Sequence, residues 1–546
     1  MKLKARLQEE LQKTIHGLWP DIAVPIIDIT VPPRPELGDY ASSIALQLAK
    51  LVRVPPREVA EKIASHFPSI SEVKHVSVEG GGFVNFSLAD STLLEEVKHM
   101  MKKGAAYAQE KQKKSLHINV EFISANPTGP LTLANGRGGF FGDVLANVYA
   151  KRGHIVEREY YVNDSGNQVN ILAESVLRKH LTQTGIPTEY PEYCYKGAYI
   201  DELARDLKIP NYNIAKHSLE DIRDKIKDKI VQKMLKDIQR VVAEKMDITF
   251  DTYFSEKSLY EKDGPIDVTL AAMHERNIVY EKDGALWLKT SEHEDEKDRV
   301  LKKSDGTFAY LLPDIAYQLD KLERRGFDKA ITVLGADHHG YLGRMYAAMD
   351  MFGHKSQLQL VIMQMIRLMR DGKEVRMSKR AGTYVPIEEL IDEVGIDATR
   401  YFFLMHTASS HMDFDLQLAK EKSEKNPVFY VQYAHARMCS ILKVAKSEGK
   451  TFQRDASLSS SARTLIVQLM RWPDVVEDVD QTMSVHRIPQ FAYDFATTFH
   501  AWYAKERVVH DDGSVNQMLL DVVCASQAIL QDVLSTMGIS APERME

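Results

Sequence analysis

The residue types best placed for chemistry lie between Val120 and Gln168, in VEFISANPTGPLTLANGRGGFFGDVLANVYAKRGHIVEREYYVNDSGNQ. An apolar run ending at Ile123 is followed by a loop carrying Asn126, Pro127, Gly129 and Pro130. A long segment with helical apolar spacing comes next, so strand, tight turn and helix start follow in order. Thr132, Asn135 and Arg137 then fall at or near a helix N-terminus. Unpaired backbone N–H groups and a positive dipole end suit a phosphate there, although a Gly-rich strand-to-helix turn with no ligand would read the same way. Far downstream, Glu374-Val375-Arg376-Met377-Ser378-Lys379-Arg380-Ala381-Gly382-Thr383 sets one lysine among arginines and a glycine. Such a loop can follow an anionic group, or it can be a solvated basic stretch.

The elements that must position these residues can be read coarsely. From about Leu116 to Asp392, β-rich runs at His117–Phe122 and Lys329–Leu334 and an apolar run at Gln357–Ile366 are each followed by turn chemistry and helical patterning. That order predicts a doubly wound parallel sheet with ligands beyond the carboxyl ends of its strands. Asn126, Gly335-Ala336-Asp337-His338 and the Met377-Ser378-Lys379-Arg380 loop all follow such runs, so they can converge on one crevice. Between about Gln168 and Gly284 the pattern turns mostly helical; Ile222, Ile226, Ile230, Met234, Ile238 and Val242 recur every four residues, which predicts one long amphipathic helix with a core-facing stripe. Residues 1 to about 110 read as a small α/β domain. It has a helix through about Leu18, a β-rich run at Ile22–Val31, a helix opened by Gly38-Asp39, and a Gly80–Gly82 turn leading into Phe83-Val84-Asn85-Phe86. After Asp397-Ala398-Thr399-Arg400 the chain is helical to its end, with Tyr430, Tyr433 and Arg437 on one helix face. Two tyrosines beside an arginine can stack bases and hold phosphate, or form a helix–helix contact.

Composition narrows the class without deciding the partner. The 546 residues, with 44% hydrophobic and 27% charged, describe an ordinary globular chain of roughly three to four domains. A net charge of -7 argues against broad non-specific nucleic-acid binding while leaving room for local basic faces. Cys194, Cys439 and Cys524 are scattered and odd in number, so no zinc site or disulfide framework is expected, and a reducing cytoplasm fits. The N-terminal segment is amphipathic and charged, unlike a signal peptide, and no run of about 18 apolar residues occurs. No membrane partner is expected.

The two chemistry-bearing stretches resemble the two ATP-handling motifs of class I aminoacyl-tRNA synthetases, here Thr132-Leu133-Ala134-Asn135 and Arg376-Met377-Ser378-Lys379. SANPTGPL, GRGG, YYVNDSGNQ and MSKRAGTYV point further, to the arginyl-tRNA synthetases, and the resemblance runs over essentially the whole chain. It implies a Rossmann-like catalytic domain at 113–395 with a helical insertion at about 169–290. A tRNA-contacting α/β domain would occupy 1–112, touching the tRNA elbow through the region of ELGDYAS and GGGFVNF. A helical anticodon-binding domain would occupy 396–546; the family's DALR word is DATR here, with Arg400 kept.

The implied reaction is ATP-dependent activation of arginine to its adenylate, followed by transfer to the 3′ end of tRNA(Arg), with activation waiting for bound tRNA. Catalysis of the first step is largely positioning and neutralisation of phosphate charge. The resemblance puts Pro130, Thr132, Leu133, Ala134, Asn135, Gly136, Arg376, Met377, Ser378 and Lys379 around ATP, with Lys379, Thr132 and Asn135 in catalytic roles. Arginine would be lined by Glu121, Ser124, Asn126, Tyr310, Asp314 and His338. On their own, Tyr310 and Asp314 read equally as a helix cap with a packed tyrosine, and His338 and His339 as structural histidines. A carboxylate at Glu121 within a strand is costly if buried without a partner, so a charged ligand would explain it. Tyr430, Tyr433 and Arg437 would meet the anticodon stem-loop. Mg²⁺ is expected to arrive on the nucleotide, with no protein-held metal, and a monomer is expected. The first motif departs from the family, which has His, an apolar residue, Gly and His at these positions. Thr132 and Asn135 can still donate hydrogen bonds but carry no imidazolium charge, and Ala134 adds a methyl where adenine would approach the backbone. An RNA-binding paralogue without adenylation is therefore the competing class. A cysteine specificity is disfavoured, because it would call for a zinc-type Cys/His cluster.

Overall fold

In the computed structural model, residues 2–32, 34–109, 114–208, 217–375, 385–447, 452–453 and 457–545 are described. The chain is built around a five-stranded sheet in which every neighbouring pair is parallel. Side by side lie Leu358–Met363, Lys329–Gly335, His117–Glu121, Ile155–Val162 and Thr252–Ser255. Strand order reverses between His117–Glu121 and Lys329–Gly335, and the crevice beyond their carboxyl ends is where such folds take ligands.

The helix Leu133–Lys151 follows the first strand and is buried along most of its length. Its glycines let it lie close. A Cβ on Gly142 would stand 2.3 Å from the Phe122 ring, and one on Gly136 would stand 2.5 Å from Ile387 Cδ1. The long amphipathic helix is present as Leu219–Arg240, continued by a π turn at Val241–Lys245. Ile222, Ile226, Ile230 and Met234 join helices Asn167–Gln183 and Ala198–Asp206 in a core of their own.

The segment read as mostly helical carries strands as well. Thr252–Ser255 returns as the edge strand of the central sheet, and Val279–Lys282, Ala285–Leu288 and Arg299–Lys302 form an antiparallel sheet. The run Gln357–Ile366 divides: Leu358–Met363 enters the central sheet and Ile366–Arg370 pairs with Met412–Asp415 in a separate one.

The N-terminal region has helix Lys2–Leu18 and an antiparallel sheet ordered Tyr40–Ser42, Phe83–Leu88, Val73–Glu79. Ile22–Val31 forms no strand, only an isolated bridge from Thr30 to Ala41. Asp39 opens no helix either. Its carboxylate accepts from the Leu88 amide at 2.7 Å and pairs with Arg463 at 3.0 Å, and the helix starts at Ile44. Burial raises the pKa of the Asp39 carboxyl above the ordinary range. Arg463 stands on helix Ser460–Met470, so this pair ties the N-terminal domain to the helical C-terminal one.

The C-terminal region stacks helices Pro427–Ser447, Ser460–Met470, Trp472–Thr482, Arg487–Tyr503 and Gln517–Thr536, with one two-residue parallel pairing of Phe452–Gln453 and Val515–Asn516. Gln517–Thr536 is long and apolar enough to cross a membrane by length and composition. Val522, Val523, Ile529, Leu530, Val533 and Leu534 on it are wholly buried, as in the core helix of a globular domain. Arg400 clamps three parts of the chain. Fully buried, it donates to Asp143 Oδ2 at 2.8 Å, to the Met246, Asp247 and Met537 carbonyls, and lies over the Phe140 ring.

Candidate active site

Where the first strand ends, the backbone is strained. Ile123 has φ 65° and Ser124 φ 39°, and the Ser124 amide donates to the Phe122 carbonyl at 2.9 Å. A β-branched residue in the left-handed region, closing a three-residue turn, is uncommon; such strain concentrates at functional sites. Its effect is to fold the Ser124 hydroxyl back onto Glu121 Oε1 at 3.1 Å, while the Tyr161 amide donates to the same hydroxyl at 3.1 Å.

The helix that follows opens with a reciprocal cap. Asn135 Oδ1 accepts from the Thr132 amide at 2.9 Å and from the Thr132 hydroxyl at 2.8 Å, and Thr132 Oγ1 accepts from the Asn135 amide at 3.4 Å. This is the capping box that a Thr followed three residues later by an amide side chain can form. The altered first motif thus stabilises its own helix start and leaves Asn135 Nδ2 as the donor outside the box. Ala134 is exposed beside it. Arg137 takes no part in a phosphate cradle. It is 1% exposed and donates to the carbonyls of Gln364, Thr407 and Ser410 at 2.8–2.9 Å. Burial lowers its pKa to about 10.

Arg376, Met377, Ser378 and Lys379 lie outside the described residues, but both flanks of their loop do not. Val375 pairs with Leu368. On the far side, Pro386 bridges to Thr132, the Ile387 amide donates to Leu131 at 2.9 Å, and Ile387 packs on Gly136. The segment that leaves the second motif is therefore seated on the first.

Near the strained Ser124 turn, which Tyr161 contacts, lies an acidic, aromatic cluster. Asp314, on helix Leu311–Leu319, is half-buried, and its pKa is pushed up to about 7. Burial is the main cause, the carboxylates of Glu256 and Glu121 add to it, and a hydrogen bond from Tyr341 and the charge of Arg344 oppose it. Burial also raises the Glu256 carboxyl, with Asp164 adding and hydrogen bonds from Tyr260 and Tyr161 opposing. Tyr161, Tyr260 and Tyr341 wall the carboxylates, and burial raises their phenols well above the ordinary range. The Asp314 and Glu256 carboxylates among these tyrosines suit a planar cation, whose fork pairs with carboxylates and whose face stacks on rings.

The other residues read from the sequence take varied positions. Glu121 is buried and already has a cation of its own: Lys321 Nζ lies 2.7 Å and Thr332 Oγ1 3.0 Å from its Oε2. The charged ligand invoked to explain this carboxylate is therefore not required. Asn126 donates to Gln168 Oε1 at 2.6 Å across the strand ends. Tyr310 is 93% exposed at the start of the Asp314 helix, so it stands at the rim and not in the wall. His338 is exposed, 3.8 Å from the Asp337 carboxylate, with its ring edge-on to Tyr341. Glu256, Tyr161, Tyr260 and Tyr341 were not singled out from the sequence; for the first three the one cue was the clustering of tyrosines and acids in YYVND and FDTYFSEKSLY, and Tyr341 carried none. Among the described residues, no group of three His, Cys, Asp or Glu side chains could hold a metal ion.

In the C-terminal region the helix face divides. Tyr430 packs its ring on Tyr493 and His500, a helix–helix contact. Arg437 lies 4.9 Å from the ring centres of both Tyr433 and Tyr503 and donates to the Tyr433 hydroxyl at 2.6 Å. These three line a cleft of about 600 Å³ with Arg507 and Arg544.

A parallel sheet with its crevice at the strand-order reversal, a capped helix start beyond the first strand, and Pro386 and Ile387 seated on that helix start are the parts of a class I tRNA synthetase. The family model of the tRNA synthetases class I (R) catalytic domain matches residues 96–408. It is flanked by matches to the arginyl tRNA synthetase N terminal domain at 1–88 and the DALR anticodon binding domain at 431–545. The chain is 39% identical over all its length to arginine–tRNA ligase 1 of Halalkalibacterium halodurans, of which it covers 99%. It is 41% identical to the arginine–tRNA ligase of Listeria welshimeri, with 96% of each chain covered. The chain belongs to the arginyl-tRNA synthetase family. Its fold is also that of the Thermus thermophilus arginyl-tRNA synthetase structure, with a TM-score of 0.78 at 22% identity over the full length of both chains.

Proposed function

We infer that this protein is an arginine–tRNA ligase, which activates arginine with ATP and transfers it to the 3′ end of tRNA(Arg). The observation that carries the reading is the pair of carboxylates Asp314 and Glu256 clustered with tyrosines near the strained Ser124 turn, which precedes the capped helix start in the chain. A guanidinium needs such acceptors, and its neighbour, the helix N-terminus, favours the phosphates of ATP. In this reading Asp314 and Glu256 take the guanidinium, and Glu121, Ser124 and Asn126 face the α-ammonium and carboxylate. Tyr310 and His338 close the rim. Pro130, Leu133, Ala134 and Gly136 lie along the nucleotide, Asn135 Nδ2 and the first backbone amides of the helix meet its phosphates, and Lys379 neutralises the leaving pyrophosphate with Arg376, Met377 and Ser378 around it. Mg²⁺ comes with the nucleotide. Residues 1–112, 113–395 and 396–546 serve as elbow-contacting, catalytic and anticodon-binding domains, with Tyr433 and Arg437 on RNA. We place the enzyme in the cytoplasm as a monomer. The test is charging: purified protein with ATP, Mg²⁺ and bulk tRNA should esterify arginine and no other standard amino acid. A tRNA-binding paralogue without adenylation is favoured by the loss of both imidazoles from the first motif, and binding without charging is the result that would select it.

A further inference from the structure

Around Glu121 lies a quartet of charges, of which Glu121, Glu159 and Lys321 are buried and Arg325 is partly exposed. Lys321 is 0% exposed, with Nζ 2.7 Å from Glu121 Oε2, 3.8 Å from Glu159 Oε1 and 4.2 Å from the centre of the Tyr317 ring. Glu159, equally buried, is held by Arg325 and by the Tyr317 hydroxyl. Two carboxylates thus meet two cations, and each carboxylate has its own. Burial pushes the Glu159 carboxyl upward, but Lys321 and Arg325 outweigh it and hold the group below the ordinary range. Lys321 belongs to the π turn Asp320–Arg324 that continues the Asp314 helix, two turns beyond Asp314 itself, so one element carries both the pocket's guanidinium acceptor and the lysine under its neighbour.

The ammonium engages one oxygen of Glu121. Oε2 is occupied by Lys321 and Thr332, whereas among the described residues Oε1 accepts only the Ser124 hydroxyl. A carboxylate has about four acceptor positions in its two oxygens, so Oε1 keeps room for a further donor on the side of the strained Ser124 turn. We propose that Lys321 is a positioning residue for arginine activation: it fixes Glu121 so that Oε1 receives the α-ammonium of the substrate. The proposal rests on the arginine-ligase reading and deepens it. Lys321 touches neither substrate nor nucleotide in this role and acts only through Glu121. Removing it leaves a buried carboxylate without its cation, free to rotate or to take a proton.

The test separates the two ends of the substrate. Arginine and 5-guanidinopentanoic acid share the guanidinium and the carboxylate, and the second lacks the α-ammonium. In tRNA-dependent pyrophosphate exchange, Lys321→Met should raise the arginine KM at least tenfold, leave the ATP KM within twofold and weaken inhibition by 5-guanidinopentanoic acid less than threefold. Lys321→Arg, which keeps the charge, should recover most of the arginine KM. Should Lys321→Met fail to fold, Lys321→Gln, which keeps a donor without the charge, takes its place, with the same supporting and overturning outcomes. Equal weakening of arginine and analogue, or an unchanged arginine KM in a folded Lys321→Met, would overturn the positioning role while leaving the ligase reading intact. Absence of arginine-dependent exchange in the parent protein would instead remove the reading on which the proposal rests.

Discussion

Arginine binding should be coupled to a proton at Asp314. The carboxyl is raised from 3.8 to about 7, mainly by burial. A shift of about 3 units corresponds to roughly 4 kcal/mol opposing ionisation in the free pocket. A guanidinium reverses that balance, because it pairs with the ionised form only. The sign follows directly: above pH 7 Asp314 is charged and ready, and below it arginine must expel a proton to bind. For a group titrating near 7, the ionised fraction falls from about nine-tenths at pH 8 to about one-tenth at pH 6, so the apparent arginine KM should rise about tenfold over that interval. The ATP KM should not follow. Asp314→Asn should raise the arginine KM at pH 8 and flatten its pH dependence, while calorimetry of the parent in buffers of differing ionisation enthalpy should show proton release near pH 7. The same shift acts on folding with the opposite slope: the buried charge costs stability above pH 7 and none below about pH 4, so this group alone makes the ligand-free fold more stable as pH falls between them. An arginine KM that is flat from pH 6 to 8, or that follows pH equally in Asp314→Asn, would refute the reasoning.

Other expectations concern the rest of the chain. Arg400→Ala takes the donor from Asp143 Oδ2 and from three carbonyls, leaving Asp143 only the longer contact of Arg158 to its Oδ1 among the described residues; a loss of about 3–5 kcal/mol in denaturant unfolding is expected, and a loss below 1 kcal/mol would deny the clamp. Tyr433→Ala should cost roughly 1–3 kcal/mol of tRNA affinity with the melting temperature kept, whereas Tyr430→Ala should lower the melting temperature and leave tRNA affinity alone; the reverse pattern in titrations would exchange their roles. Asn135→Ala removes half of the helix cap and the free amide together, so a mild loss of exchange activity with about 1 kcal/mol of stability is expected, and an exchange loss as deep as that of Lys379→Ala would make Asn135 the principal phosphate ligand.

How far the sequence disclosed all this depended on distance along the chain. The strand–turn–helix at Val120–Lys151, the stripe of Ile222 to Ile238 and the Thr132–Asn135 pair are local patterns, and local patterns were legible. Ile22–Val31 has the β-rich composition of a strand but finds one bridging partner, at Ala41, and composition alone does not supply a neighbour. Glu256 was hidden because it follows a strand, Thr252–Ser255, that rejoins the central sheet from within the segment expected to be a helical insertion. Glu121 read as a carboxylate in want of a ligand because Lys321, which satisfies it, lies 200 residues away. Arg137 could be placed only near the helix N-terminus for the same kind of reason: the carbonyls that receive it, at Gln364, Thr407 and Ser410, are supplied by distant parts of the chain.

The most direct measurement of the central claim is pyrophosphate exchange into ATP by the purified protein, with arginine and tRNA(Arg) each added and omitted. The account predicts exchange that requires arginine and tRNA together and that falls steeply in Lys379→Ala. Protein that binds tRNA yet shows no arginine-dependent exchange with every component present would contradict it.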